Sequence, residues 1–175
     1  MATIAFLKGV NVGGHRTFRP SLLASKMAKF GVVNIGAAGT FVVRGPIGQA
    51  SLRREFLRRL PFETEVMICS GSGILQLASG ESFVGQPSGR DVVRFVSVLA
   101  KRPRVLPALP LNLPAEEDWL VRIVAIREKF ALGLYRRAMR TIALLGQLEK
   151  HLGGSLTTRN WNTFSTLFEI LRTKT

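Results

Sequence analysis

The chain has 175 residues, enough to bury a substantial core as one domain or as two small subdomains. Its composition, 46% apolar and 21% charged, is that of a globular protein, and a single cysteine excludes both a disulfide framework and a cysteine metal cluster. The charge is +14, from 25 basic and 11 acidic residues, and it leans to the N-terminal half: residues 1–62 carry +9 and the remainder +5.

Such a field draws nucleic acid, phosphorylated ligands or acidic membranes. The preponderance of arginine over lysine is also what a base-biased genome produces without any polyanion partner. No apolar run approaches the ~18 residues of a membrane helix. Residues 4–7 are too short for a signal-peptide core before Lys8 interrupts them. A cytoplasmic protein with no membrane partner is the expectation.

In chain order, residues 3–7 read as a short strand running into a glycine segment with Gly9, Gly13 and Gly14. The dinucleotide fingerprint needs a different glycine spacing, and the ATP loop needs Lys-Ser/Thr where His15-Arg16 stand. Asn11, a short polar side chain among these glycines, is a candidate ligand-binding residue. Pro20, then Leu23, Met27 and Phe30, then Gly31 mark an amphipathic helix with its start and stop. Residues 32–44 read as β structure, with Gly36 and Gly39 marking a bend.

The spacing over 49–60 predicts a helix with Leu52, Phe56, Leu57 and Leu60 inward. Its outer face holds Arg54 and Arg58, and Arg53 and Arg59 complete the densest basic patch in the chain, a candidate nucleic-acid-binding face. A solvated helix face explains the same run. A strand over 65–69 buries Cys69, an apolar context that makes it an inert thiol. Ser70 to Gly73 then cap a short helix through Leu77.

Residues 80–89, rich in glycine, form the best internal boundary, dividing a subdomain 1–85 from a subdomain 86–175. A buried strand over 92–99 ends in Lys101-Arg102-Pro103-Arg104, and four prolines make the stretch to Pro114 an extended connector. Glu116, Glu117 and Asp118 suit a solvated helix start better than a metal site. Residues 119–126 and 129–135 pair as a hairpin turning near Arg127 and Glu128. A helix over 141–152 buries Ile142, Leu145, Leu148 and Leu152.

The last helix is read as opening at Thr158 or Thr157 as N-cap, with Trp161, Phe164, Leu167, Phe168 and Leu171 on one buried face. Arg159 and Asn162 then fall on the open face of its first turn, beside unpaired backbone N–H groups that can hold an anion. Cap residues alone explain the Thr and Asn as well. The element order is α+β, and two ferredoxin-like α/β subdomains packed into one compact unit fit it.

Three motifs carry a resemblance. Thr157-Thr158-Arg159-Asn160-Trp161-Asn162-Thr163 matches the closing motif of the bacterial domain of unknown function 1697 family. Phe6 to Gly14 is similar to that family's opening Leu-Leu-Arg-Gly-Ile-Asn-Val-Gly-Gly. Residues 34–43 occupy the place of its Thr-Tyr-Ile-Gln-Ser-Gly-Asn-Val-Val-Phe, but Ala38-Gly39-Thr40 replaces Ser-Gly-Asn. The resemblance implies the ferredoxin-like fold and brings no activity with it.

Three functions remain. A polyanion-binding protein, for nucleic acid or a phosphorylated small molecule, is favoured by the charge, by the Arg53, Arg54, Arg58 and Arg59 patch, and by Arg159 with Asn162. An enzyme would place a pocket between Asn11, the Gly36–Gly39 bend and Arg159–Asn162. A domain with no ligand of its own is the third. With only His15 and His151, neither a histidine triad nor a metal site is expected, and no cofactor motif is present.

Overall fold

The computed structural model describes residues 1–11, 17–116 and 118–173. Gly13, Gly14 and His15 of the opening glycine segment, and Glu117 of the acidic cluster, lie outside the described residues. The chain is α+β and divides into two units, residues 1–78 with 163–175, and residues 79–162. Among the described residues no helix is long and apolar enough to cross a membrane.

The first unit runs β1 (Thr3–Leu7), α1 (Pro20–Lys26), β2 (Val32–Ile35), β3 (Thr40–Val43), α2 (Gln49–Arg59), β4 (Val66–Ser70) and α3 (Gly71–Leu75). Its sheet order is β2-β3-β1-β4, with every neighbouring pair antiparallel. That is the ferredoxin-like βαββαβ arrangement expected from the element order. The stretch expected as bent β structure is a hairpin, β2 turning into β3, with Gly36 and Gly39 at φ 70 and 85 in the turn. A β-carbon on Gly39 would lie 2.8 Å from Val10, so glycine is required there by space as well as by φ.

Alternation divides β1 between two faces. Ala5 and Leu7 join Leu23 of α1, Met27 just after it, Phe41 and Val43 of β3, and Leu52 and Phe56 of α2 in one core. Phe41 and Phe56 meet at 5.1 Å between ring centroids. Leu57, expected inward, is exposed, because at about 100° per residue it lies a quarter-turn or more around α2 from the face shared by Leu52 and Phe56. The opposite face of β1 presents Phe6, fully buried and stacked at 5.7 Å on Phe164 of the last helix, α6 (Trp161–Arg172).

This contact corrects the domain division. The boundary falls after Ala78, and α6 from Thr163 onward belongs to the first unit. The reason is physical: Phe164, Leu167, Phe168 and Leu171 form a buried apolar stripe, and the Phe6 face of the four-stranded sheet receives it. The Arg44 guanidinium adds a bond to the Ile170 carbonyl at 3.0 Å.

The second unit runs β5 (Val92–Leu99), β6 (Leu111–Leu113), β7 (Val121–Arg127), β8 (Phe130–Arg136), α4 (Thr141–Leu145), α5 (Leu148–Leu152) and β9 (Leu156–Asn160). Its sheet order is β6-β7-β8-β5-β9, again antiparallel between neighbours. Without the edge strand β6, this is the ferredoxin-like order a second time. The proline-rich connector stands where the first unit has its first crossover helix.

Phe95, Leu99, Val121, Ile123 and Leu156 face Leu144, Leu148 and Leu152 in the core of this unit. The single helix expected over 141–152 is two short ones, since Gly146 and Gln147 separate α4 from α5. The changed register turns Leu144 inward and leaves Ile142 exposed. Glu116 and Asp118, expected to start a helix, lie in turn and bend instead. Gly133 of β8 sits where a β-carbon would come within 2.5 Å of the Arg122 carbonyl and 2.7 Å of the Phe95 ring.

Gly133→Ala is therefore expected to lose about 1–3 kcal/mol of stability by overpacking. Gly154→Ala, where nothing lies within 4 Å, is expected to stay within ~0.5 kcal/mol. Urea unfolding of the two variants beside the parent measures both, and coincident curves would refute this packing.

Candidate functional site

The C-terminal motif begins as a strand. Residues Leu156–Asn160 form β9, paired antiparallel with β5 so that Val96 lies opposite Arg159 and Phe95 opposite Asn160. The helix starts at Trp161, not at Thr158. Thr158 is a ladder residue whose hydroxyl pairs with that of buried Ser97 at 2.7 Å, so it does not cap the helix.

Arg159 is consequently a buried strand residue, 6% exposed, and not part of an open helical face. Its Nη1 donates to Thr157 Oγ1 at 2.8 Å and to the Thr158 carbonyl at 3.0 Å. Burial pushes its pKa down to about 10, which still leaves it cationic at neutral pH. Asn162, in contrast, is exposed in the first turn of α6, as expected. Trp161 is half-buried, its ring edge-on to Phe83 at 5.0 Å between centroids.

Asn11 has a structural occupation. It adopts a left-handed φ of 54, donates from Nδ2 to the Ala37 carbonyl at 2.9 Å and accepts at Oδ1 from the Phe18 amide at 3.0 Å. The opening motif and the Gly36–Gly39 turn are thus tied together within the first unit. Arg159 and Asn162 belong to the second.

The α2 arginines are largely engaged at home. Glu55 accepts from Arg58 at 3.1 Å and makes a short contact with Arg59, which also bonds the Glu55 carbonyl. The hydrogen bond from Arg59, with help from Arg58, holds the Glu55 carboxyl below its ordinary range. Arg53 reaches the Val66 carbonyl at 3.4 Å and Arg54 the Ser51 hydroxyl at 3.0 Å. A face that sequence marks as four available cations therefore carries one internal carboxylate and five intramolecular bonds.

The second unit builds a more open basic site. A groove of about 490 Å³ lies at the start of β5, the end of β9 and the first two residues of α6. Arg90, Arg94, Arg137, Asn160 and Asn162 line it together with Trp161, and no carboxylate is among its described lining residues. Arg137 donates from Nε to the Arg90 carbonyl at 3.2 Å, and its backbone N–H bonds the Asp91 carbonyl at 2.8 Å, which holds the loop beside its own guanidinium. Arg94 lies over the Phe83 ring at 5.1 Å, and Phe83 in turn packs on Trp161. The first turn of α6 contains no acidic residue, so the positive end of its dipole is not neutralised there.

The register explains the convergence. Arg94 and Arg122 both lie opposite Leu134, Arg136 is two residues further along β8, and Arg159 lies opposite Val96. Residues directly opposite, or two apart on one strand, share a face. Four arginines therefore occupy the face of the five-stranded sheet turned away from α4 and α5. Arg122 and Arg136 both stack on Trp119, at 4.4 and 4.2 Å from its ring. Burial, and then the charge of Arg136, lower the pKa of Arg122. The buried Nε of Arg136 has no hydrogen-bond partner among the described residues. Sequence reasoning missed Arg90, Arg94, Arg122, Arg136 and Arg137. Their signal is arginine recurring on, or just beyond the ends of, strands otherwise apolar, and cross-strand register is needed to bring them together.

Searched against family models, the chain matches none, and no curated protein matches it. Among solved structures it is similar to the conserved bacterial protein SP0830 from Streptococcus pneumoniae, with a TM-score of 0.58, 15% sequence identity and 98% of each chain covered. The likeness is one of fold. It extends over both units and leaves the chemistry to this chain's own residues.

If Arg159 belongs to the scaffold of β9, Arg159→Ala should destabilise by about 2–5 kcal/mol, the range for truncating a buried side chain. Urea denaturation measures it, and an unchanged midpoint would show that the buried guanidinium supports nothing.

Proposed function

We propose that the protein binds a polyanion, nucleic acid or a phosphorylated ligand, in the groove lined by Arg90, Arg94 and Arg137. The observation that carries this reading is three arginines lining one groove, with no carboxylate among the described lining residues, at the N-terminal end of a twelve-residue helix. Guanidinium forks match phosphate oxygens in pairs, and helix N–H groups favour negative charge. Asn160 and Asn162 add short polar side chains that can fix orientation. Arg159, buried beneath this end of β9, contributes charge to the field while its bonds hold the strand.

The same reading keeps membership of the domain of unknown function 1697 family, supported by the three motifs at residues 6–14, 34–43 and 157–163. It also keeps a cytoplasmic location, where such ligands are found. The α2 patch takes a secondary part, since Glu55 already accepts from Arg58 and Arg59.

Inorganic phosphate or sulfate should raise the melting temperature, because a ligand that binds only the folded state adds RT ln(1 + [L]/Kd), about 2.7 kcal/mol at 100 times Kd. The double variant Arg90→Ala with Arg137→Ala should melt near the parent without anion and lose that stabilisation. Full anion stabilisation in the variant would place the site elsewhere.

A further inference from the structure

A second basic groove, of about 540 Å³, lies at the other end of the same strand pair. Lys101, Arg102, Arg104 and Lys150 line it, with His151, where β5 ends, α5 ends and β9 begins. Among the described residues only Arg102 has a carboxylate partner, Glu128 at 3.4 Å, and both of those side chains are largely exposed. Lys101, Arg104 and Lys150 make no ion pair among the described residues and are exposed. Pro103, Val105 and Pro107 give the groove an apolar wall, and Val105 is 81% exposed.

The antiparallel register fixes the spacing of the two grooves. Phe95 pairs with Asn160 near the first groove, and Leu99 with Leu156 at the second. From Val92 to Leu99 an extended strand covers about 23 Å. A lone phosphate or a mononucleotide fills one groove and cannot reach the other. A nucleic-acid strand covers that distance in about seven nucleotides at a stacked rise of ~3.4 Å.

We propose that the polyanion is a single-stranded nucleic acid whose backbone is held at both grooves. This rests on the reading of the first groove given above. A single strand is favoured over a duplex because each groove also offers an apolar surface, Trp161 in one and Val105 with its flanking prolines in the other. Unpaired bases can lie on such surfaces, and a duplex conceals its base faces. Two anion sites on one ligand make the second contact intramolecular, so affinity rises with length once the strand spans both.

The test is fluorescence anisotropy with fluorescein-labelled oligothymidylates of roughly four and roughly twelve nucleotides, lengths on either side of the span, and a duplex of the longer length. The longer strand should bind on the order of 10- to 100-fold more tightly than the shorter. The triple variant Lys101→Ala, Arg104→Ala and Lys150→Ala should remove that gain, lower the salt slope by about 2, and leave sulfate stabilisation intact. Sulfate stabilisation with no length gain, or a length gain unaffected by the triple variant, would overturn this inference and leave the first groove standing. A duplex that binds more tightly than the strand would also overturn it. Absence of both sulfate stabilisation and oligonucleotide binding would overturn the underlying reading as well.

Discussion

The pairing of β5 between β8 and β9 decides where the second unit carries its charge. Because directly opposed residues share a face, the register that sets Arg94 against Leu134 and Val96 against Arg159 gathers arginines from separate parts of the chain. A slip of one strand by one residue would send its arginine to the side that packs on α4 and α5, among Leu144, Leu148 and Leu152. The apolar core on that side makes such a slip prohibitive. Hydrophobic packing thus fixes the place of the charges, although it makes no contact with a ligand.

Like charges held close repel, and for Arg94, Arg122 and Arg136 the unit offsets this with aromatic rings. Arg94 rests on Phe83, and Arg122 and Arg136 rest on Trp119. A ring face stabilises a guanidinium without cancelling its charge, so the field remains available to an outside anion. The first unit follows the other strategy. Glu55 sits between Arg58 and Arg59, and the helix that looks most basic in sequence is the one whose charge is most answered internally.

Much of the architecture was legible in the residues. Pro20 and Gly31 bracket the first helix and its 3-10 extension, the β-branched run 92–99 is β5, and the hairpin turns at Glu128, whose φ of 53 suits a tight turn. The repeated α+β order was visible too, since apolar periodicity changes from strand to helix along the chain. The C-terminal motif was not legible in the same way. Thr, Arg and Asn are natural at a helix start, and local chemistry cannot show that β5 offers Thr157 to Asn160 a ladder to join. Tertiary pairing overrides the cap preference, turning Arg159 from a surface residue into a buried one. The groove itself is a product of register, so Arg90, Arg94 and Arg137 stay unrelated until the strands are aligned.

On the proposed reading the second unit, at the β5–β9 end where α6 begins, holds the anion. Amide NMR of the uniformly labelled protein titrated with inorganic phosphate tests it residue by residue. Saturable shifts greatest at residues 88–94, 137 and 160–162 are expected. Shifts centred on residues 53–59 of α2, with none in this groove, would contradict it.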